Sequence, residues 1–219
     1  MRSSRIEFHL TSPNEGASMS DLLTRDRMVI NQKAKLIELN NEYAIRDEEG
    51  NDIGVIRQEG QSALKKVARF VSSLDQFMTH KLSVYDAAGT KVLGLERPRK
   101  FVKSKLLVTD GSGQSAGQIV QKNAFGKIRF DLDDASGATL GQIRAENWRA
   151  WNFAIVDQTD KEIGRITKKW EGLAKTMFTT ADNYLVEIDP SVTGNLRLLA
   201  LASATGIDTA LKQDARGLG

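Results

Sequence analysis

The chain has 219 residues, 40% hydrophobic and 27% charged, a balance that can bury a core in one large domain or two small ones. Its formal charge of +3 permits contact with phosphates without requiring it. It contains no cysteine, which excludes disulfides, thiolate metal sites, a catalytic thiol and S-acylation, and suits a reducing cytoplasm.

Residues 1–20 are polar and lack the apolar segment of a secretory signal; they are expected to form a disordered tail ahead of one domain over 21–219. Arg27 to Ala34 (RMVINQKA) reads as a first strand. From there a repeat governs the chain, aligned on Asp47, Asp86, Asp110, Asp134 and Asp157. Three residues on stand Gly50, Gly89, Gly113 and Gly137, with Asp160 in the last copy. Seven residues on stand Gly54, Gly117, Gly141 and Gly164, whereas the second copy has Leu93 there and Gly94 beside it.

The positions two and four before each Asp are apolar, as in Tyr43 and Ile45 or Phe153 and Ile155, which is the period of a strand with one buried face. Asp followed by Gly at this spacing supplies turn chemistry, because Asp bonds its own backbone and Gly accepts positive φ. Downstream apolar residues fall six and nine after the Asp, an odd separation that would split them between faces. A β-bulge at the intervening glycine adds a residue and restores the phase. Each unit is therefore expected to be a hairpin, and five give ten strands.

The gap from Asp47 to Asp86 exceeds the others, and Gln61 to Asp75 fills it with Leu64, Val67, Ala68, Val71 and Leu74 on one helical face. Past the last hairpin, Asp182 to Ile188 reads as a twelfth strand. A helix from about Asn195 to Leu211 is apolar on nearly all sides and must be buried. Its uncharged run, Leu198 to Ile207, is far below the roughly 18 residues of a membrane span. Closing the strands around this helix removes their edges and shelters it. The expected fold is mainly β: a twelve-stranded closed barrel of repeated hairpins around a C-terminal helix, with one amphipathic surface helix.

Several segments also resemble the phospholipid scramblase family: 27–54, LGLERPRKF at Leu93 to Phe101, and ITKKWEGLAKTMFTTADNYLVEIDP at Ile166 to Pro190. The likeness is to bacterial scramblase-related members and, more weakly, to plant LURP-one-related proteins, and it covers nearly the whole chain. It implies the tubby-like fold, a twelve-stranded barrel around a central helix. Eukaryotic relatives carry a calcium segment matching Thr180 to Ser191. Here Thr180, Asp182, Leu185 and Ser191 occupy its first, third, sixth and twelfth places, so the carboxylates and the glycine of a hard-cation loop are degenerate and no metal is expected.

The strongest charge signal is Arg97, Arg99, Lys100, Lys103 and Lys105, a basic cluster suited to a phosphorylated lipid headgroup on the barrel rim. A solvated strand face is the plainer account. Lys65, Lys66 and Arg69 on the inserted helix extend that cluster if the helix faces a membrane. Trp148, Trp151 and Trp170 fit either a membrane interface or a filled barrel end, and Asp208 fits a structural role.

His9 and His80 are isolated, no nucleophile–base ordering stands out, and Gly111 to Gly117 is one copy of the repeat. No catalytic residue, cofactor or nucleic-acid module is expected. The leading expectation is a cytoplasmic protein, peripheral at the inner face of the plasma membrane and binding anionic phospholipid. The alternatives are a true scramblase that moves lipid between leaflets, and a soluble protein-interaction scaffold.

Overall fold

The computed structural model describes residues 21–31, 42–59, 80–98, 105–123, 128–147, 152–168 and 183–216. A short α1 (Asp21–Thr24) precedes β1 (Arg27–Asn31), β2 (Glu42–Arg46), β3 (Asp52–Glu59), β4 (His80–Asp86), β5 (Lys91–Arg97) and β6 (Lys105–Asp110). Then come β7 (Ser115–Gln121), β8 (Arg129–Asp133), β9 (Thr139–Asn147), β10 (Asn152–Asp157), β11 (Glu162–Thr167), β12 (Asn183–Ile188) and α2 (Gly194–Arg216). The strands form one closed antiparallel barrel in which each pairs with its chain neighbours and β1 pairs with β12, from Arg27 opposite Glu187 to Asn31 opposite Asn183. Closure leaves no strand edge unpaired.

The repeat builds the hairpins by one local device. In every copy the amide three residues after the Asp donates to the Asp carbonyl, as Gly113 does to Asp110 at 3.0 Å. The Asp amide in turn donates to the carbonyl four residues on, as Asp134 does to Ala138 at 2.8 Å. This is a tight turn ending in a left-handed residue, and Gly50, Gly89, Gly113 and Gly137 take φ between 81° and 89° there. Asp160 adopts φ 66° in the copy without glycine. The Asp carboxylate accepts the amide four residues later in all five copies, for instance Thr90 to Asp86 at 2.8 Å and Lys161 to Asp157 at 3.1 Å.

The bulge falls where the odd spacing requires it. Opposite Ile155 stands Gly164, but opposite Val156 stands Glu162, so Ile163 is the extra residue. Ile53, Val92, Ala116 and Leu140 are skipped in the same way. Ile163 and Ile166 can thus both be buried. At the bulge the glycine lies against a neighbouring strand: a Cβ on Gly54 would meet the Tyr85 carbonyl at 2.7 Å, and one on Gly164 the Glu187 carbonyl at 2.6 Å.

Inside, Met28, Ile45, Ile56, Val84, Leu95, Leu132, Ile143 and Ile166 join one apolar core with α2. Residues Leu199 to Thr205 are buried without interruption, which on a helix means burial on every side. The helix is longer than the expected Asn195 to Leu211 at both ends. Small residues line it (Ala200, Ala202, Ser203, Ala204), and they leave room for large side chains from the wall.

A sixth copy of the Asp turn introduces this helix. The Val192 amide donates to the Asp189 carbonyl at 3.0 Å, and the Ser191 amide and hydroxyl donate to the Asp189 carboxylate at 2.9 and 2.7 Å. Asp110, Asp134 and Asp157 hold Ser112, Ser136 and Thr159 likewise. Beside this turn Arg197 is buried, and its guanidinium donates to the carbonyls of Asp189 at 3.3 Å, Val192 at 3.2 Å, Leu23 and Arg25. One side chain ties the start of α2 to the α1–β1 link. Burial lowers its pKa from the ordinary arginine value, and four carbonyl acceptors surround the charge.

Candidate functional site

In a closed barrel whose strands follow one another in sequence, connections alternate between two ends. The five Asp-Gly turns and the Asp189 turn share one end, with α1 and Arg197. The strand ends flanking residues 32–41, 60–79, 98–104, 122–128, 148–151 and 168–182 all lie at the other. Most residues of those connections, including Lys65, Lys66, Arg69, Arg99, Lys100, Lys103, the three tryptophans and Asp182, lie outside the described residues. The helix expected over Gln61 to Asp75 does too, and so does the end of the strand expected to reach Ala34. What the structure fixes is the rim from which they depart.

On that rim Lys105 is exposed at the start of β6, whereas Arg97 is only 5% exposed at the end of β5. Arg97 differs from the solvent-facing cation expected of a headgroup cluster. It alternates with Leu93 and Leu95, both buried in the core, so the strand period turns its side chain inward. The same alternation places Gln121 inward beyond Ile119, where it is 3% exposed. Lys168 reaches over the ring of core residue Tyr184, 4.8 Å from its centroid. The barrel interior thus changes from apolar to polar toward this end, where α2 contributes Ser203 and Thr205. Period two read from Leu93 was the signal that could have found the inward Arg97.

The outer wall is charged and mutually paired. Glu59 accepts the Tyr85 hydroxyl at 3.0 Å and lies 3.6 Å from Lys91, with Arg57 stacked over Tyr85. A hydrogen bond from Ser83, together with Tyr85 and Lys91, holds the Glu59 carboxyl below its usual range. Lys122 pairs with the largely buried Asp131 at 2.8 Å, and the Arg165 guanidinium joins Glu146 and Glu162 at 2.7 Å each. That arrangement raises the Arg165 pKa through its bonds to Glu146 and Glu162 and lowers that of Glu146. Arg165 thus reaches from β11 across β10 to Glu146 on β9 and along its own strand to Glu162, while Lys122 ties the end of β7 to β8, and these pairs brace the wall.

Of the segment matched to a calcium loop, Leu185 is paired with Val29 and Thr167 within β12, and Ser191 belongs to the Asp189 turn. Among the described residues no cluster of three or more His, Asp or Glu side chains is arranged to hold a metal ion. Asp208 falls within α2.

Comparison with known proteins gives a consistent picture. A family model described as Scramblase matches residues 7–211. A phospholipid scramblase family protein of Schizosaccharomyces pombe is 26% identical over 192 residues, which is 80% of this chain and 49% of that protein. The chain therefore spans about half the length of the curated relative it matches. No solved structure matches the chain.

Proposed function

The chain belongs to the scramblase family, and from that premise we propose that it is a peripheral protein that binds anionic phospholipid at the inner face of the plasma membrane. The observation that carries this reading is the orientation of the barrel: apolar inside, charged outside. Strands that cross a bilayer carry the reverse, an apolar band facing lipid. Here the wall bears Arg57, Glu59, Arg144, Glu146 and Arg165, and the helix with the longest uncharged run is enclosed. Among the described residues no helix is long and apolar enough to cross a membrane. These features favour contact with headgroups over a route for lipid through the protein.

The basic residues Arg99, Lys100 and Lys103, between the inward Arg97 and the exposed Lys105, are the headgroup ligands in this reading. Lys65, Lys66 and Arg69 supply a second group of cations. Each Lys or Arg near an anionic surface contributes about 1 kcal/mol of attraction, so a group of three to five suffices for reversible binding. Co-sedimentation with phosphatidylcholine vesicles, with and without phosphatidylserine, tests it. Binding is expected only with the anionic lipid, and an Arg99→Glu/Lys103→Glu variant should weaken it at least tenfold. Failure to sediment with either vesicle, or binding indifferent to these substitutions, overturns the proposal.

A further inference from the structure

Each turn of the repeat begins with an Asp, but the residue that follows it differs: Glu48, Ala87, Gly111, Ala135 and Gln158. Asp110–Gly111 is the one Asp-Gly step in the sequence, and the sequence has no Asn-Gly. The structure gives a reason for this glycine. A Cβ at position 111 would lie 2.2 Å from the Lys91 carbonyl oxygen and 3.4 Å from that of Val92, so this turn leans on the backbone of β5. Those obstacles are main chain and cannot rotate away.

We propose that Asp110 is the chain's site of backbone isomerisation to isoaspartate, a reaction that its own turn holds in check while the barrel is folded. The chemistry is intramolecular. The Gly111 amide nitrogen attacks Cγ of the neutral Asp110 carboxylic acid. The carboxyl hydroxyl leaves with the amide proton as water, and a five-membered succinimide closes. Water then adds to one of its two carbonyls. Addition at Cγ restores Asp, whereas addition at the main-chain carbonyl carbon leaves the chain running through Cβ and Cγ. Glycine favours the closure because no side chain shields its nitrogen.

The folded turn opposes this reaction. Asp110 Oδ1 accepts the Ser112 amide at 2.9 Å, the Ser112 hydroxyl at 2.6 Å and the Gln114 amide at 2.9 Å, which fix the carboxyl in place. The backbone is held as well: the Asp110 amide donates to the Gln114 carbonyl at 2.9 Å, and the Asp110 carbonyl accepts the Gly113 amide at 3.0 Å. The Ser112 hydroxyl and the turn amides also keep the carboxyl below its ordinary range, which depletes the neutral acid that the attack needs. Conversion therefore proceeds from the open turn, at the unfolded rate scaled by the open fraction. Refolding does not undo it. In isoaspartate the former Asp110 carbonyl is a free carboxylate and the hairpin carries an extra main-chain atom, so the same turn cannot form. The strands it joins, β6 and β7, are two that α2 packs on.

The test is to age the whole chain for weeks near neutral pH, in buffer and in urea above its unfolding midpoint. Digestion with a protease that cleaves before Asp but not before isoaspartate, followed by peptide mass mapping, locates the product. In urea, conversion at position 110 is expected to lead that at every other Asp severalfold, and in buffer to be at least tenfold slower. A different leading Asp in urea, or equal rates at 110 in the two conditions, overturns the proposal. Two variants aged in urea, where neither has to fold, check the chemistry. Asp110→Glu cannot close a five-membered ring and should abolish the product at 110, and Gly111→Ala should slow it severalfold; unchanged conversion in either also overturns the proposal. In buffer, a Gly111→Ala chain that melts as high as the parent overturns the packing reason for the glycine.

Discussion

The Arg197 guanidinium donates to the backbone carbonyl of Leu23, a residue 174 positions earlier in the chain. With its bonds to Arg25, Asp189 and Val192, it fastens the two strands of the β1–β12 seam at their common end. Arg197→Met leaves those carbonyls buried without a donor and is expected to cost at least about 3 kcal/mol. Arg197→Lys keeps the charge but cannot span four acceptors, and should cost about 1–2 kcal/mol. Urea unfolding measures both, and hydrogen exchange should show the lost protection concentrated in β1.

The repeat glycines divide into two kinds with different costs. A Cβ at Gly113 meets nothing within 4 Å, so Gly113→Ala bears only the strain of φ +89°, about 1 kcal/mol. Gly117, at φ +139°, has the Asp133 carbonyl 2.1 Å from where its Cβ would be, and Gly117→Ala must also displace β8. Its cost is expected near 3 kcal/mol, strain and overpacking together. Paired thermal melts that rank Gly113→Ala as the worse variant would contradict this division.

Acid sensitivity follows from the turn carboxylates. Hydrogen bonds from Ser112, Ser136 and Thr159 hold Asp110, Asp134 and Asp157 below their free value of 3.8. The unfolded chain therefore takes up more protons than the folded one as the pH drops. Stability from these groups is complete above the free carboxyl range and is lost as the pH falls through the lowered values. Urea midpoints should be level from about pH 8 to 5 on this account and fall below about pH 4. An Asp110→Asn/Asp134→Asn variant should be less stable at pH 7 and lose less on acidification.

Packing of the central helix gives a further prediction. Ala202 is fully buried, and Ala202→Leu adds three heavy atoms to a filled bore, at an expected cost of about 1–3 kcal/mol. Gly206 differs. A Cβ there approaches the Leu106 Cδ2 at 2.4 Å, the far end of a side chain that can rotate away. Gly206→Ala gains helix propensity against that contact and should change stability by less than about 1 kcal/mol. Calorimetry on the two variants separates a rigid contact from a yielding one.

Much of this barrel is legible in the sequence because its instructions are local. An Asp, a left-handed residue three positions on and a bulge three positions after that determine each hairpin without reference to distant residues. The enclosed helix is legible because apolar residues on all sides have one remedy. Asp189 escapes the same reading: its turn is followed by a helix, so the second half of the hairpin pattern is missing. Arg197 escapes it because its acceptors are backbone carbonyls, which carry no mark in the residue letters, and two of them lie over 170 residues away. Arg97 was recoverable, since Leu93 and Leu95 fix the inward face, but a run of cations draws attention to charge before phase.

The pairing of β1 with β12 sets an order of assembly. As the chain is synthesised, hairpins from β2 to β11 can form as each turn emerges, because every partner is close behind. The first strand has no such luck with one of its sides: the backbone groups of Arg27 to Asn31 that face β12 must wait until residues 183–188 exist. The helix that fills the bore is made later still, so the wall has to remain open until α2 can enter it. The barrel closes as a late, long-range event, and its slow step is expected at the seam.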